Sequence, residues 1–297
     1  MTSIYHSGEL AVQARASVQD IASRVGQSIR STIPLAAQEF LRSQPMAILG
    51  TLDGSGRVWA SLLAGEPGFM QAVDEQTVQI NARSIPGDPI TENLITNDQV
   101  GMIVIEFATR RRMRLNGRAE APSEGSIYIH ANQVYSNCPK YIQAREWEKK
   151  AVHPSAAPSV KRASHLTEGQ RRLIKEADTF FIASSHPESG ADASHRGGPP
   201  GFVRILNESL LAWPDYSGNR MFQTLGNISV NPSAGLLFID FESGGTLQLT
   251  GRARIIWEVE CAMEFAGAER VVEFQIDEAI EIAGVNTLRW QFVDNAG

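Results

Sequence analysis

The sequence predicts a mainly β chain with interspersed helices (an α+β fold), laid out as two related small barrels in tandem. Three observations carry that expectation. The first is an internal repeat: GEPGF at 65–69 returns as GPPGF at 198–202, GMIVIEF at 101–107 as GLLFIDF at 235–241, and NGRA at 116–119 as TGRA at 250–253. Each pair lies 133 or 134 residues apart and the order is kept, which points to duplication of one structural unit. The second is the shape of the apolar stretches, which are short and bounded by Gly, Pro, Asn, Asp and Ser, as in strands joined by tight turns. The third is size. A chain of 297 residues suits two units of about 150, and 42% hydrophobic residues suffice for a core in each.

Taken in order, Ser7 reads as the cap of a helix over 8–18 with Leu10, Ala11, Ala14 and Val18 on one stripe. Pro34 suits the first turn of a helix over 34–42. Strands over 46–52 and 57–63 flank the turn Asp53-Gly54-Ser55-Gly56. The stretch 132–150 is amphipathic with a break at Pro139 and reads as helical, and 153–165, rich in Pro, Ala and Ser, reads as a linker. That places one barrel with leading helices in 1–152 and a second in 166–297. Thr167-Glu168-Gly169-Gln170 has the form of a capping box opening a helix. Strands over 179–185 and around Asp192 mirror the first hairpin, and 202–206 and 210–213 flank a turn at Asn207-Glu208. A helix follows over 221–227. In the last hairpin, after the turn Ser243-Gly244-Gly245, Leu247, Leu249, Gly251, Ala253 and Ile255 alternate with more polar neighbours. No strand–glycine–helix fingerprint for a dinucleotide is present.

Charge and composition exclude several function classes. Lys and Arg number 27 against 33 Asp and Glu, a net −6 that argues against general affinity for nucleic acid or anionic lipid. Two cysteines, Cys138 and Cys261, cannot build a disulfide framework or a cysteine-rich zinc site, and six histidines show no metal-binding spacing. With no apolar leader and no bilayer-length run, a soluble cytoplasmic protein is expected. Cys138, beside Lys140, reads as a structural or pocket residue ahead of a redox one. One local feature runs against the acidic average. In Arg110-Arg111-Arg112-Met113-Arg114, strand alternation puts Arg110, Arg112 and Arg114 on one face and Arg111 and Met113 on the other. Such a face attracts a phosphate or carboxylate, or is a solvated strand paired with neighbouring acids.

The longest distinctive stretches are DASHRGGPPGFV at 192–203, WPDYSGNRMFQTLGNISVNPSAGLLFIDF at 213–241 and LTGRA at 249–253. The first half adds HSGELAVQ at 6–13, TRRRMRLNGR at 109–118 and NCPKYIQ at 137–143. On these motifs the chain resembles the pyridoxamine 5′-phosphate oxidase-like, FMN-binding split-barrel family, and within it the tandem flavin-nucleotide-binding members. The resemblance implies two split barrels packed as a pseudo-dimer with FMN in the groove between them. It implies that Ser217, Asn219 and Arg220 hold the FMN phosphate, and that Ser194, His195 and Arg196 run beside the flavin. Trp213 and Pro214 would stand at a cofactor-side strand end, Trp213 being equally a core residue, and Arg112 would reach the cofactor across the interface.

Chemistry supports the phosphate assignment independently, since a guanidinium, hydroxyl and amide donors and a helix N-terminus converge at 217–220. The corresponding stretch of the first half, INARSIPGDPI at 80–90, has Asn81 and Arg83 but no Gly-Asn-Arg turn and reads as a degenerate site. The implied activity is an FMN-dependent oxidoreductase acting on a small molecule, with NAD(P)H as candidate reductant. No side chain is singled out as catalytic, no metal is expected, and the pyridoxamine phosphate reaction itself is not. The alternative is a non-catalytic flavin- or haem-binding carrier or sensor, with a deazaflavin as a third cofactor reading. A homodimer of the chain is compatible with either.

Overall fold

The computed structural model of the chain describes residues 3–82, 84–123, 125–149, 159–283 and 288–292. Helices α1 (Ser7–Arg15), α2 (Gln19–Gly26) and α3 (Leu35–Ser43) lead into the hairpin β1 (Met46–Leu52) and β2 (Val58–Ala64). β3 (Met70–Ala72), β4 (Thr77–Asn81), α4 (Ile90–Thr96), β5 (Gln99–Glu106), β6 (Arg111–Ser123) and β7 (Ser126–Ser136) complete the first unit. β8 (Arg145–Lys149), β9 (Ser159–Ala163) and α5 (Glu168–Glu176) precede the hairpin β10 (Thr179–His186) and β11 (Gly190–Gly197). Then follow β12 (Arg204–Ile205), β13 (Leu210–Tyr216), α6 (Gln223–Val230), β14 (Ser233–Ile239) and β15 (Thr246–Ile256). α7 (Val259–Met263), β16 (Ala268–Ala283) and β17 (Leu288–Phe292) close the described chain.

The first sheet runs β2-β1-β5-β6-β7-β4-β3 and the second β11-β10-β14-β15-β16-β13-β12, the same path element for element. Both are antiparallel, as expected for two split barrels in tandem. Each barrel closes on its own apolar core, one built around Leu49, Val104 and Leu115 and the other around Phe180, Trp213 and Phe274. A third apolar cluster belongs to neither. Ile48, Leu62 and Ile103 of the first barrel meet Phe181, Ala193 and Leu237 of the second, and this seam joins the halves face to face. No helix among the described residues is long and apolar enough to cross a membrane.

The repeated glycines explain themselves at the seam and at the bulges. An added Cβ at Gly101 would collide with the backbone of Asp192 on β11, and at Gly235 it would stand 2.6 Å from the Val58 carbonyl on β2. Each barrel thus lays a bare stretch of strand against the hairpin of the other. Gly117 and Gly251, the glycines of NGRA and TGRA, sit at register shifts in β6 and β15 where a neighbouring carbonyl occupies the space of a side chain.

Several expectations change in the structure. The predicted helix over 8–18 ends early, at Arg15: α1 is capped by His6, whose ring accepts from Gly8, with Glu9 completing a capping box, and Ser17 at φ 55° lies in the turn before α2. α1 packs on α6, so this first helix joins the second core through Val12 and donates from Gln13 Nε2 to Met221 O at 2.9 Å. The stretch 132–150 is not helical, its described part being the end of β7, a connection, and β8. β7 is hydrogen-bonded to β6 on one side and β4 on the other, and that long-range pairing outweighs a local amphipathic pattern. Within the expected linker, Ser159–Ala163 is a strand paired with β16, while 151–158 lies outside the described residues. The helix placed at 221–227 is shifted to Gln223–Val230, because Arg220 and Phe222 both have positive φ. The capping box at Thr167 is present, with Gln170 answering the Thr167 amide at 3.0 Å.

The close approach at the seam predicts an asymmetry between glycines. Gly101→Ala should lower the unfolding free energy by about 1–3 kcal/mol, since strand backbone must shift to admit the methyl group. Gly169→Ala, on α5 with open space around it, should raise stability by about 0.4–1 kcal/mol. Urea denaturation of both variants measures the difference.

Candidate functional site

The seam ends in a polar cleft that both barrels build. The first contributes Ile103, Arg112, Arg114, Asn137, Lys140 and Tyr141. The second contributes Ser194, His195 and Arg196 from β11, Pro214 at the end of β13, and the loop and first turn of α6 from Gly218 to Leu225. Alternation along the strands puts these groups there. Arg112 and Arg114 point off one face of β6 while Met113 enters the first barrel's core, and Arg110 falls in the turn before the strand, off the shared face.

At the base of the cleft the Asp192 carboxylate is the meeting point. It pairs with the Arg114 guanidinium and accepts from Tyr135 Oη at 3.2 Å and Asn116 Nδ2 at 3.4 Å, all from the first barrel. Its other oxygen accepts from Thr224 Oγ1 on α6 at 3.1 Å. Arg114 also lies 5.0 Å over the Tyr135 ring. Burial alone would weaken the Arg114 charge, but Asp192 more than reverses that and raises its pKa.

Two further guanidiniums have no such partner. Arg112 donates from Nη1 to His195 Nδ1 at 2.9 Å and from Nη2 to the Cys138 carbonyl at 2.7 Å, leaving Nε buried without an acceptor. Burial, with Arg114 and Arg196 adding repulsion, lowers its pKa to about 10. Arg196 donates to Ser194 Oγ at 2.7 Å and to the His195 carbonyl at 3.0 Å, and burial lowers its pKa as well. Neither arginine has a carboxylate within ion-pair distance among the described residues. His195 is held well below its usual pKa, first by burial and then by Arg112, Arg196 and Arg145. A guanidinium cannot accept, so His195 Nδ1 must, and the ring proton sits on Nε2. That atom is buried and unpartnered among the described residues.

The other expected positions divide. Arg220 lines the cleft, but at φ 65° its guanidinium pairs with Glu269 at 2.6 Å and donates to Ser217 Oγ at 2.8 Å. Ser217 thus serves Arg220, and its carbonyl accepts from Tyr141 Oη at 3.1 Å. Asn219 accepts from the Met221 amide at 3.0 Å, shaping the turn into α6. No side chain caps that helix, whose first turn faces the cleft. Pro214 lines the cleft, whereas Trp213 is turned into the second core, edge-on to Phe180. Arg83 lies outside the described residues. Tyr141 and Tyr216 stack at 5.0 Å beside Arg220. The residues that sequence reading passed over are Asp192 as the hub, with Tyr135 and Thr224. Only the placement of Arg114 in a basic run hinted that a buried acid had to exist elsewhere.

Strand register identifies the counterpart of this cleft on the other side of the seam. There Trp59 stands where Asp192 does, Leu62 and Leu63 replace His195 and Arg196, and Thr246 and Gln248 replace Arg112 and Arg114. Trp59 packs with Ile280 and Ile282, and Gln248 donates to Ser61 Oγ and Asp88 Oδ2 at 3.1 and 3.0 Å. The cations are gone, and Trp59 and Leu62 are packed in apolar clusters.

Removing one partner of the hub leaves the other buried and uncompensated. Arg114→Met should cost about 3–5 kcal/mol of folding stability and Thr224→Val about 1 kcal/mol, measured by chemical denaturation. His195 adds a pH signature. Its folded pKa is depressed, so the contribution is present above about 6.5 and is lost as pH falls below that value. His195→Gln should flatten that acid limb of the stability profile.

The sequence model of one family, pyridoxamine 5′-phosphate oxidase, matches residues 33–154 and again 166–291. Among solved structures, HupZ of Group A Streptococcus aligns at 19% identity over 37% of this chain and 89% of its own, with a TM-score of 0.32. HutZ, the heme storage protein of Vibrio cholerae, aligns at 11% identity over 39% of this chain and 93% of its own, with a TM-score of 0.30. A protein of Clostridium acetobutylicum related to general stress protein 26, of the pyridoxinephosphate oxidase family, aligns at 11% identity over 42% and 93%, with a TM-score of 0.28. No curated protein matches the sequence.

Proposed function

We propose, on the premise that the chain belongs to the pyridoxamine 5′-phosphate oxidase family, that it is an FMN-binding oxidoreductase acting on a small molecule. The observation that carries the reading is the pair Arg112 and Arg196, two guanidiniums facing one cleft with no carboxylate within ion-pair distance among the described residues; Asp215, which also lines the cleft, is paired with Arg270 and only partly offsets the charge of Arg196. Cations this enclosed are costly unless an anion completes the site, and a phosphate monoester has the charge and acceptor number to do so. The orphaned Arg112 Nε, the Ser194 hydroxyl and the uncapped first turn of α6 are further donors at the same place. The residues present therefore fit the phosphate of FMN.

The cleft's free volume of about 100 Å³ suits that phosphate end. Seating a whole nucleotide, in pockets that run to about 300–1,000 Å³, calls for the Tyr141–Tyr216 stack and the Arg220–Glu269 pair to part. In this reading Arg112 and Arg196 hold the phosphate, and Arg220 joins them by giving up Glu269. Bound flavin supplies the redox chemistry, accepting and releasing electrons singly or as hydride. Neutral His195 offers an Nε2 proton as a hydrogen-bond donor inside the cleft without itself becoming charged.

The loss of these cations at the counterpart positions across the seam supports one flavin per chain. Titration followed by flavin fluorescence should reach equivalence at one FMN per chain. Arg112→Ala and Arg196→Ala should each weaken binding by about 1.5–3 kcal/mol. Arg220→Ala should cost less, because its charge is already shared with Glu269. Two FMN per chain, or affinity indifferent to Arg112 and Arg196, refutes this arrangement. Bleaching of the bound flavin by NAD(P)H and reoxidation in air mark an enzyme, and a flavin that NAD(P)H leaves oxidised marks a carrier or another reductant.

One observation favours a second reading. His195 is a neutral imidazole whose Nε2 has no partner among the described residues, and it would ligate haem iron there if the ring proton moved to Nδ1 and Arg112 released that atom. Arg112 and Arg196 beside it oppose the positive charge of a ferric centre, which places this reading second. A Soret band in the purified protein, lost in His195→Ala, would reverse the order.

A further inference from the structure

Beside the cleft, sharing Arg112 and Asn137 with it, lies a second groove of about 450 Å³ between α3 and the turn that leads into β6. That size is within the range of small-molecule sites. Its floor is apolar, made by Phe40, Met113 and Ala37 with Pro139 at one side. Its charged lining residues are all arginines. Arg111 is committed: it pairs with Glu106 at 2.7 Å and lies 5.4 Å over the Phe40 ring. Arg110 is exposed, held in the left-handed region at φ 58°, and has no ion-pair partner among the described residues. Where groove and cleft meet, one donor and one acceptor are buried without partners, Arg112 Nε and Asn137 Oδ1.

We infer that this groove is a small-molecule binding site and that its occupant is a planar aromatic carboxylate. An apolar floor wants a flat hydrocarbon body, and an uncompensated cation at the rim wants its anion, so one molecule carrying both satisfies the groove. The shared residues Arg112 and Asn137 place the far end of that molecule beside the donors assigned to the phosphate. Binding in the groove does not need flavin.

The test uses 1-naphthoate as probe, with 1-naphthylmethanol as its uncharged counterpart, titrated into flavin-free full-length protein by calorimetry. FMN affinity is measured in parallel on every variant. Naphthoate should bind at least about tenfold more tightly than the alcohol, and Arg110→Glu should weaken it by at least about tenfold with FMN affinity unchanged. Ala37→Trp fills the groove and should abolish naphthoate binding, with retained FMN affinity reporting an intact fold. Equal binding of acid and alcohol, naphthoate affinity indifferent to Arg110→Glu, or parallel loss of FMN in that variant overturns the inference. A protein that binds naphthoate with these sensitivities yet takes up no FMN upholds the groove and sinks the flavin reading.

Discussion

The Asp192 carboxylate, buried on β11 of the second barrel, takes its cation from Arg114 on β6 of the first, and most of the molecule's functional geometry follows from that crossing. A buried carboxylate without a cation would be strongly destabilising, as would the guanidinium alone, so the barrels hold one relative placement in which both are satisfied. Tyr135 and Asn116 tie the same carboxylate to the first barrel and Thr224 ties it to α6. The apolar seam supplies area, but hydrophobic contact is indifferent to small slides along a sheet. The ion pair is directional, and it sets the register between the halves.

Once the hub is in place, the next residues along both strands come together without further instruction. On β6, two positions before Arg114, Arg112 shares its face, and on β11 the residues after Asp192 bring Ser194, His195 and Arg196 to the same opening. Arg114 is neutralised and Arg112 and Arg196 are not. The cleft is positive because its cations outnumber its acids, Asp192 being paired with Arg114 and Asp215 with Arg270, although the whole chain carries a net −6. The same cations keep His195 neutral, so a histidine at the centre of the site acts as a hydrogen-bond donor and not as a further positive charge.

The equivalent positions across the seam show how a duplicated fold comes to hold one site. Backbone topology is preserved strand for strand, including the bulge glycines Gly117 and Gly251 and the seam glycines Gly101 and Gly235. Side-chain chemistry is not. Trp59, Leu62, Leu63 and Gln248 convert what is a charged cleft on one side into packed core on the other. Packing at the seam requires both copies of the glycines, while the cations occur in one copy only. The two sets of residues have diverged accordingly.

Much of this was legible in the amino-acid order. The repeat of short apolar strands and seam glycines is a local pattern, and it determined two barrels of like topology. The family motifs carried Ser194, His195, Arg196, Pro214, Asn219 and Arg220 to the cleft where they line it. What the chain order could not decide depends on contacts between residues far apart in sequence. Trp213 turns into the core because strand parity at β13 points it there, and 132–150 forms strands because β4 and β6 flank β7. Arg220 spends its charge on Glu269, 49 residues away, while Arg112 and Arg196 have no ion-pair partner among the described residues. The 297 residues form two units of like topology, but the cleft belongs to neither unit alone. Charge pairing across a seam is a property of the folded pair, and only tertiary structure assigns which arginine is spent and which is free.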